Sequence, residues 1–352
     1  MTQLTPLGNL LLWAYVSAPK QHTLKSPDCK YNYLLFDSVF ALNAFVDDEI
    51  KNLLSANQSR WNFIEESTDS QLQSGTDWYG TPTPKDIQEL NEHRTFLGMP
   101  LVEKIQPKIK EKLTHYLQYL NDAVLPKPKM AYNDRGLGVF SFERAAMGMY
   151  QQFPINTTSP INTSVSQMNI ELGNKKVLTS VKSVFAYFKD KQMSYPSLQL
   201  YIMAGANAHV KGNDLLYVGL ACAELVEFME LRGVSVEVNV MLGTSFNNQV
   251  TMGCVRVKRF QDKLDKNQLL LMSSDPRYFR FRGFKSLVAM SNYFGLTIPS
   301  GLGTISASMG TAFAKAINPN SFVFEQSYSM DSAVKEVSQI ITNYKNQLQP
   351  NG

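Results

Sequence analysis

Histidine, cysteine and charge are all scarce in this chain, and each scarcity excludes something. The four histidines (His22, His93, His115 and His209) form no metal-ligand pair at helical or hairpin spacing. The three cysteines (Cys29, Cys222 and Cys254) are odd in number and far apart. They make neither a disulfide framework nor a zinc spacing, which fits a reducing cytosol. Cys222 and Cys254 stand in apolar runs and read as small core residues. No metal or cofactor is expected. Charged residues make up only 18% of the 352 and hydrophobic ones 44%, which excludes wholesale disorder. A net charge of +4 does not define a nucleic-acid binder; only its distribution could do so. No uninterrupted apolar run is long enough to cross a bilayer, so no membrane partner is expected. Residues 10–16 are apolar, but no Lys or Arg precedes them and no small-x-small site follows, so they read as a buried segment rather than a leader. The sequons at Asn57, Asn156 and Asn162 carry no weight without a secretion route.

What is present is a well-patterned stretch over residues 197–260. Residues 198–204 have almost no polar break, as in a strand buried on both faces. Asn213 is placed to cap the following helix and Gly233 to end it. Leu215, Val218, Cys222, Leu225 and Met229 form its apolar stripe, with Glu224, Glu227 and Glu230 opposite. Residues 234–242 alternate, with Val234, Val236, Val238, Val240 and Leu242 on one face. Ser235, Glu237 and Asn239 take the other, which is expected to meet water. A loop over 242–249 then returns the chain in an antiparallel strand over 250–260, its phase switch near Cys254–Val255 predicting a bulge.

Around this core the pattern predicts a strand at 31–36 (YNYLLF), a helix after Asp37 or Ser38, and a short strand at 59–64 (SRWNFI). A loop is expected at 74–84. A helix then starts at Thr83–Pro84 and ends at Gly98, and another covers 101–121, with Pro107 bending it or marking its start. Residues 125–129 (LPKPK) form a linker and 140–150 a short helix. The echo PINTTSPINTS at 154–164 is an exposed loop and a domain boundary. A strand is expected within 175–188, helices at 262–272 and 276–293, a strand at 322–325 and a last helix at 331–348. Strands alternating with helices, plus one antiparallel hairpin, predict an α/β three-layer sandwich at 166–352, with an N-terminal α+β region at 1–165 packed on it.

The order of elements from Leu198 to Leu242, with the hairpin after it, resembles a von Willebrand factor A-like, Rossmann-like domain. The segments DWYGTPTPKDIQEL, ACAELVEFMELRGVSVEV and SSDPRYFRFRGF resemble an uncharacterised protein family of tailed bacteriophages. A metal-binding A-domain needs Asp-x-Ser-x-Ser at the end of its first strand. Here that position reads Ala204-Gly205-Ala206-Asn207-Ala208, without the acid or the hydroxyls. The resemblance therefore implies the scaffold, a protein partner or self-assembly, and a location in host cytoplasm or virion, but not the metal. Asn207, His209, Asp214, Thr244 and Ser245 are the pocket candidates, because ligands in open α/β sheets favour the carboxyl ends of strands. An enzyme with a pocket there is one alternative, though no nucleophile motif accompanies His209.

The other alternative is binding of single-stranded nucleic acid. Residues 256–285 carry nine Lys or Arg against three Asp. Arg256, Lys258, Arg259, Arg277, Tyr278, Arg280, Arg282 and Lys285 interleave cations with rings, which can hold phosphates and stack bases. The same pattern arises when rings pack inward and cations solvate the opposite face. Residues 299–310 hold Gly301 and Gly303 but lack a nucleotide-loop motif. The runs Asp47–Glu49 and Glu65–Glu66 read as solvated faces.

Overall fold

The computed structural model describes residues 20–25, 29–76, 78, 81–119, 130–133, 138–141, 150–153, 167–172, 175–181, 184–188, 197–205, 210, 212–246, 248–298, 301–303 and 309–348. The apolar run at 10–16 and the echo at 154–164 lie outside these residues. Contacts divide the chain into two compact units, Met1–Leu125 with Ser197–Gly352, and Pro126–Pro196. The boundary expected at 165/166 falls inside the second unit. The reason is that N-terminal strands complete the main sheet, while residues 126–196 form sheets of their own.

The first unit begins with β1 (Lys20–Lys25), β2 (Lys30–Phe36), α1 (Val39–Glu49), α2 (Ser55–Gln73), α3 (Ile87–Glu92) and α4 (Met99–Tyr119). Ser38 caps α1 by accepting from the Ala41 amide at 3.1 Å. The strand expected at 59–64 is instead the middle of α2. Trp61, Ile64 and Thr68 recur at helical spacing as its buried face. The next helix starts later and stops sooner than its sequence implies. Asp86, not Thr83, is the cap, accepting from the Glu89 amide at 2.7 Å, and the helix closes at Glu92 rather than Gly98. Pro107 lies within α4, whose Ile105, Ile109 and Leu113 are buried at four-residue spacing.

The second unit contains β3 (Met130–Asn133), β4 (Val139–Phe140), β5 (Tyr150–Phe153), β6 (Gln167–Leu172), β7 (Lys175–Val181) and β8 (Phe185–Phe188). They pair antiparallel as β3-β8-β4 and β5-β7-β6. The strand expected within 175–188 is thus two strands, neither in the main sheet. Phe140 and Tyr150, the ends of the expected short helix, are both in strands, and 142–149 lie outside the described residues.

The first unit resumes with β9 (Ser197–Met203), α5 (Leu216–Leu231), β10 (Ser235–Phe246), β11 (Gln249–Lys258), α6 (Lys266–Ser274) and α7 (Phe284–Tyr293). It ends with α8 (Met309–Ile317), β12 (Phe322–Phe324) and α9 (Met330–Leu348). The sheet order is β1-β2-β11-β10-β9-β12. β9, β10 and β12 are mutually parallel, β11 runs antiparallel to β10, and β2 runs parallel to β11. The helix α5 supplies the long crossover that a parallel β9–β10 pair requires. Helices cover both faces, so the first unit is a mixed α/β sheet compatible with a three-layer sandwich.

That double coverage corrects two expectations. The second face of β10 does not meet water: Glu237 and Asn239 are buried. Glu237 accepts from Gln199 at 2.8 Å and Asn239 at 3.1 Å, and pairs with Arg256 at 3.3 Å. Further along this face, Tyr33, Tyr201, Met203, Met241 and Met252 pack with Phe313 of α8. Likewise α5 is buried nearly all round, and Glu224 survives burial by accepting from Gln106 of α4 at 3.0 Å. Asn213 is not the cap of α5, because a 3-10 turn, Gly212–Leu215, feeds the helix directly. Gly233 does end it, at φ +77°, with Val234 bonding back to Met229.

The loop expected at 242–249 is mostly strand. β10 runs to Phe246, and Asn248 at φ +59° sits in the tight turn. The bulge falls at Val257, between the pairs Val238–Lys258 and Asn239–Arg256, not at Cys254–Val255. Phase alone misplaces it because both faces of β11 take apolar residues.

Candidate functional site

β9 delivers its carboxyl end into a cleft, as the strand-end argument anticipates. The Ala204 amide makes the last rung, donating to the Met241 carbonyl at 2.9 Å. Gly205 then turns at φ +110°, and a Cβ there would lie 2.6 Å from Cζ of Phe279. Only glycine relieves both constraints. Its carbonyl accepts from Gln326 Nε2 at 2.7 Å and from the Tyr328 hydroxyl at 3.4 Å. Tyr328 also donates to Gln326 Oε1 at 2.6 Å, and burial pushes its phenol up from the usual value. The cleft is tight, with a cavity volume of about 20 Å³. Gly205, Asp214, Ser273, Asp275, Arg280 and Tyr328 are among its lining residues.

Asp275 and Ser273 are committed to structure. Asp275 Oδ2 lies 2.9 Å from Nε2 of His93, and its Oδ1 accepts from the amides of Arg277 at 2.8 Å and Tyr278 at 3.3 Å. It thereby caps the turn that follows α6. Ser273 Oγ donates to the Leu269 carbonyl at 2.7 Å. Within the cleft, the Ser273 and Tyr328 hydroxyls bond to carbonyls, to Ser274 and to Gln326, not to a carboxylate or histidine. Cys222 and Cys254 are buried, and burial pushes the Cys254 thiol up to about 12, away from the thiolate form.

Of the pocket residues read from sequence, Asp214 lines this cleft. Asn207 and His209 lie outside the described residues. Thr244 and Ser245 are not in it, since β10 carries them on beyond the rung at Ala204. Thr244 is fully buried, and Ser245 partly so. Sequence reasoning missed Ser273, Asp275 and Tyr328, and named Arg280 only for the basic tract. Asp275 had a signal, because an Asp just before Pro276 at a helix start is a cap. Tyr328 had none.

The basic–aromatic tract is corrected more sharply. Lys258, Arg277, Tyr278, Arg282 and Lys285 are all buried. The chain makes a π-helical turn at Tyr278–Gly283, with the Phe284 amide reaching the Phe279 carbonyl. This turn aims cations at the N-terminal helices. Arg277 meets Glu89 of α3 at 2.5 Å. Arg282 meets Asp47 of α1 at 2.5 Å and Asn43 Oδ1 at 2.9 Å, and Asn43 also accepts from Tyr278 at 3.1 Å. Lys285 meets Glu65 of α2, and Lys258 meets Glu230 of α5, each at 2.5 Å. Arg256 is half-buried and pairs with Asp37 at 3.1 Å. Arg280 donates to the Val210 carbonyl at 3.4 Å, and Arg259 alone of the eight is exposed. These side chains do not form the open surface that phosphates and bases would need.

The acid runs are mostly solvated, as read from sequence: Asp47, Asp48 and Glu66 are exposed, although Asp47 and Asp48 also form ion pairs. Glu65 is part-buried against Lys285, and Glu49 accepts from Asn292 at 2.7 Å. Asn57 of the first sequon is fully buried, bonded to Asn292 and the Leu296 carbonyl.

Residues 184–349 match the family described as Domain of unknown function (DUF7192). The match takes in every cleft residue named above except His93. No curated protein and no solved structure matches the chain. No helix among the described residues is long and apolar enough to cross a membrane.

Proposed function

We propose that this chain is a non-enzymatic, phage-type interaction or assembly protein, in which a metal-free A-domain-like scaffold presents the carboxyl end of β9 to a protein partner. The observation that carries the reading is the strand-end cleft itself. Polar and apolar side chains line it, and two of the polar ones, Asp275 and Ser273, are held in structural hydrogen bonds. Such a site can recognise a partner without a nucleophile–base pair. The A-domain likeness is supported by the order strand, helix, parallel strand, antiparallel return over β9, α5, β10 and β11. It differs in that β2 pairs beyond β11, which is therefore not an edge.

The test is site-specific photocrosslinking in the producing cell, with a benzophenone amino acid at Asp214 and, as control, at the highly exposed Leu231. A defined protein adduct at 214 that is absent at 231 supports the reading; a second copy as the adduct supports the assembly form of it. No adduct, or the same adducts at both positions, overturns it.

A further inference from the structure

A second surface lies along the outer edge of β12, the strand beside β9. This strand pairs with β9 on one side and, among the described residues, with no strand on the other. Alternate residues of such an edge turn their N–H and C=O groups outward, where they need water or a partner. The edge is not flush with solvent. α8 packs over one sheet face and α9 over the other, leaving a groove of about 490 Å³. Thr311 and Lys315 of α8, Val323 of the strand, and Glu336 and Gln339 of α9 are among its walls.

Two features give the groove a preferred occupant. The first is an acid pair. Glu325 is fixed at the start of α8, accepting from the Thr311 amide at 2.8 Å and its hydroxyl at 2.6 Å. Glu336 faces it from α9, with Lys335 as the nearby cation. Lys315 does not neutralise the pair, because its ammonium is spent on the carbonyls of Pro319, at 3.0 Å, and Ser321. The second is Ser321, also in the lining. It is fully buried, and its hydroxyl has no partner among the described residues. A buried hydroxyl is rarely left so.

We propose that this groove binds an extended peptide by strand addition to β12, with a lysine or arginine of the peptide seated between Glu325 and Glu336. Main-chain hydrogen bonds would supply affinity and the acid pair specificity. The strand's three residues match a short segment better than the sheet of a second copy, which needs a longer edge. The inference stands on a surface separate from the β9 cleft and does not rest on the function proposed for it.

The test is fluorescence anisotropy with the labelled peptide Thr-Val-Lys-Val-Thr, its Glu-for-Lys counterpart and its N-methylated form. The lysine peptide is expected to bind with a Kd below about 1 mM. The other two, or Glu336→Gln protein with the lysine peptide, should be roughly tenfold weaker, the scale of one charge-assisted contact. Hydrogen exchange should slow at 321–325 when the lysine peptide is bound. Equal affinity for the three peptides, no binding up to about 1 mM, or protection elsewhere overturns the proposal. So does a dimer, seen by light scattering, that holds this edge and excludes the peptide.

Discussion

The ammonium of Lys285 lies 2.5 Å from Oε1 of Glu65, although the two residues are 220 positions apart. It also reaches Asn91 Oδ1 at 3.2 Å and sits over the rings of Phe281 at 4.0 Å and Trp61 at 4.5 Å. Burial pulls its pKa below the usual lysine value, and the bond to Glu65 pulls it partly back. The pair is lopsided: the lysine side chain is 1% exposed and the glutamate 37%. Removing the acid strands a buried cation, whereas removing the cation leaves a carboxylate that water can reach. Glu65→Leu should therefore cost about 3 kcal/mol, and Lys285→Met distinctly less, with the double variant close to Lys285→Met alone. Urea unfolding of the four proteins checks this, and equal costs for the two single changes would refute the asymmetry.

Gly205 carries a different constraint. Its φ of +110° is open to glycine and strained for any other residue, and the Phe279 ring closes the space where a Cβ would go. Gly205→Ala should lose about 2 kcal/mol or more. Shrinking the ring with Phe279→Leu in the same chain should return only the steric share, because the dihedral strain stays. Full recovery in thermal or urea unfolding would show that the backbone contributes nothing.

Burial of the basic tract makes a prediction about its cations. Arg282→Glu would bury an acid beside Asn43 and Asp47, and should destabilise by about 3–5 kcal/mol. Arg259→Glu, on an exposed side chain, should change stability by no more than about 0.5 kcal/mol. Any salt-sensitive retardation of single-stranded DNA should follow exposed Arg259 and Lys263 rather than Arg277 and Arg282. Loss of retardation in a fully folded Arg282→Glu protein would restore the tract as an interface.

Local pattern carried much of this fold. The aromatic run of β2, the apolar run of β9 and the hairpin of β10 and β11 each follow from side-chain period. Failures came wherever the answer lay in a distant residue. Trp61 and Phe63 have strand propensity, but the face that α2 buries against α7 decided for helix. Glu237 and Asn239 look like a wet face until Gln199 and Arg256 arrive to pair with them. Arg277, Arg282 and Lys285 look like a solvated or phosphate-binding row, since nothing nearby in sequence announces Glu89, Asp47 and Glu65 as their partners. The cleft was foreseeable as a place, at the end of β9; of its described lining only Asp214 was read as a pocket residue, and Asp275 was legible only as a cap.

Glu336 gives the groove beside β12 a pH signature. Burial is the larger cause that raises its pKa above the usual 4.5, and the facing Glu325 adds to it. The folded protein therefore keeps this proton at a pH where the unfolded chain has released it. The folded state binds more protons, so stability from this group is fully present below the unfolded pKa and is lost as pH rises through the folded one. Glu336→Gln keeps a neutral side chain at every pH, so its stability relative to the native protein should climb as pH rises from the ordinary carboxyl pKa through the raised one and level off beyond. Glu325→Gln removes only the smaller cause and should leave most of the native slope. The lysine peptide should also bind more tightly across the same interval, since its cation meets an ionised pair only once Glu336 has lost its proton. Parallel stability curves for native and Glu336→Gln proteins, measured by urea unfolding at several pH values, would show that this carboxyl is not perturbed.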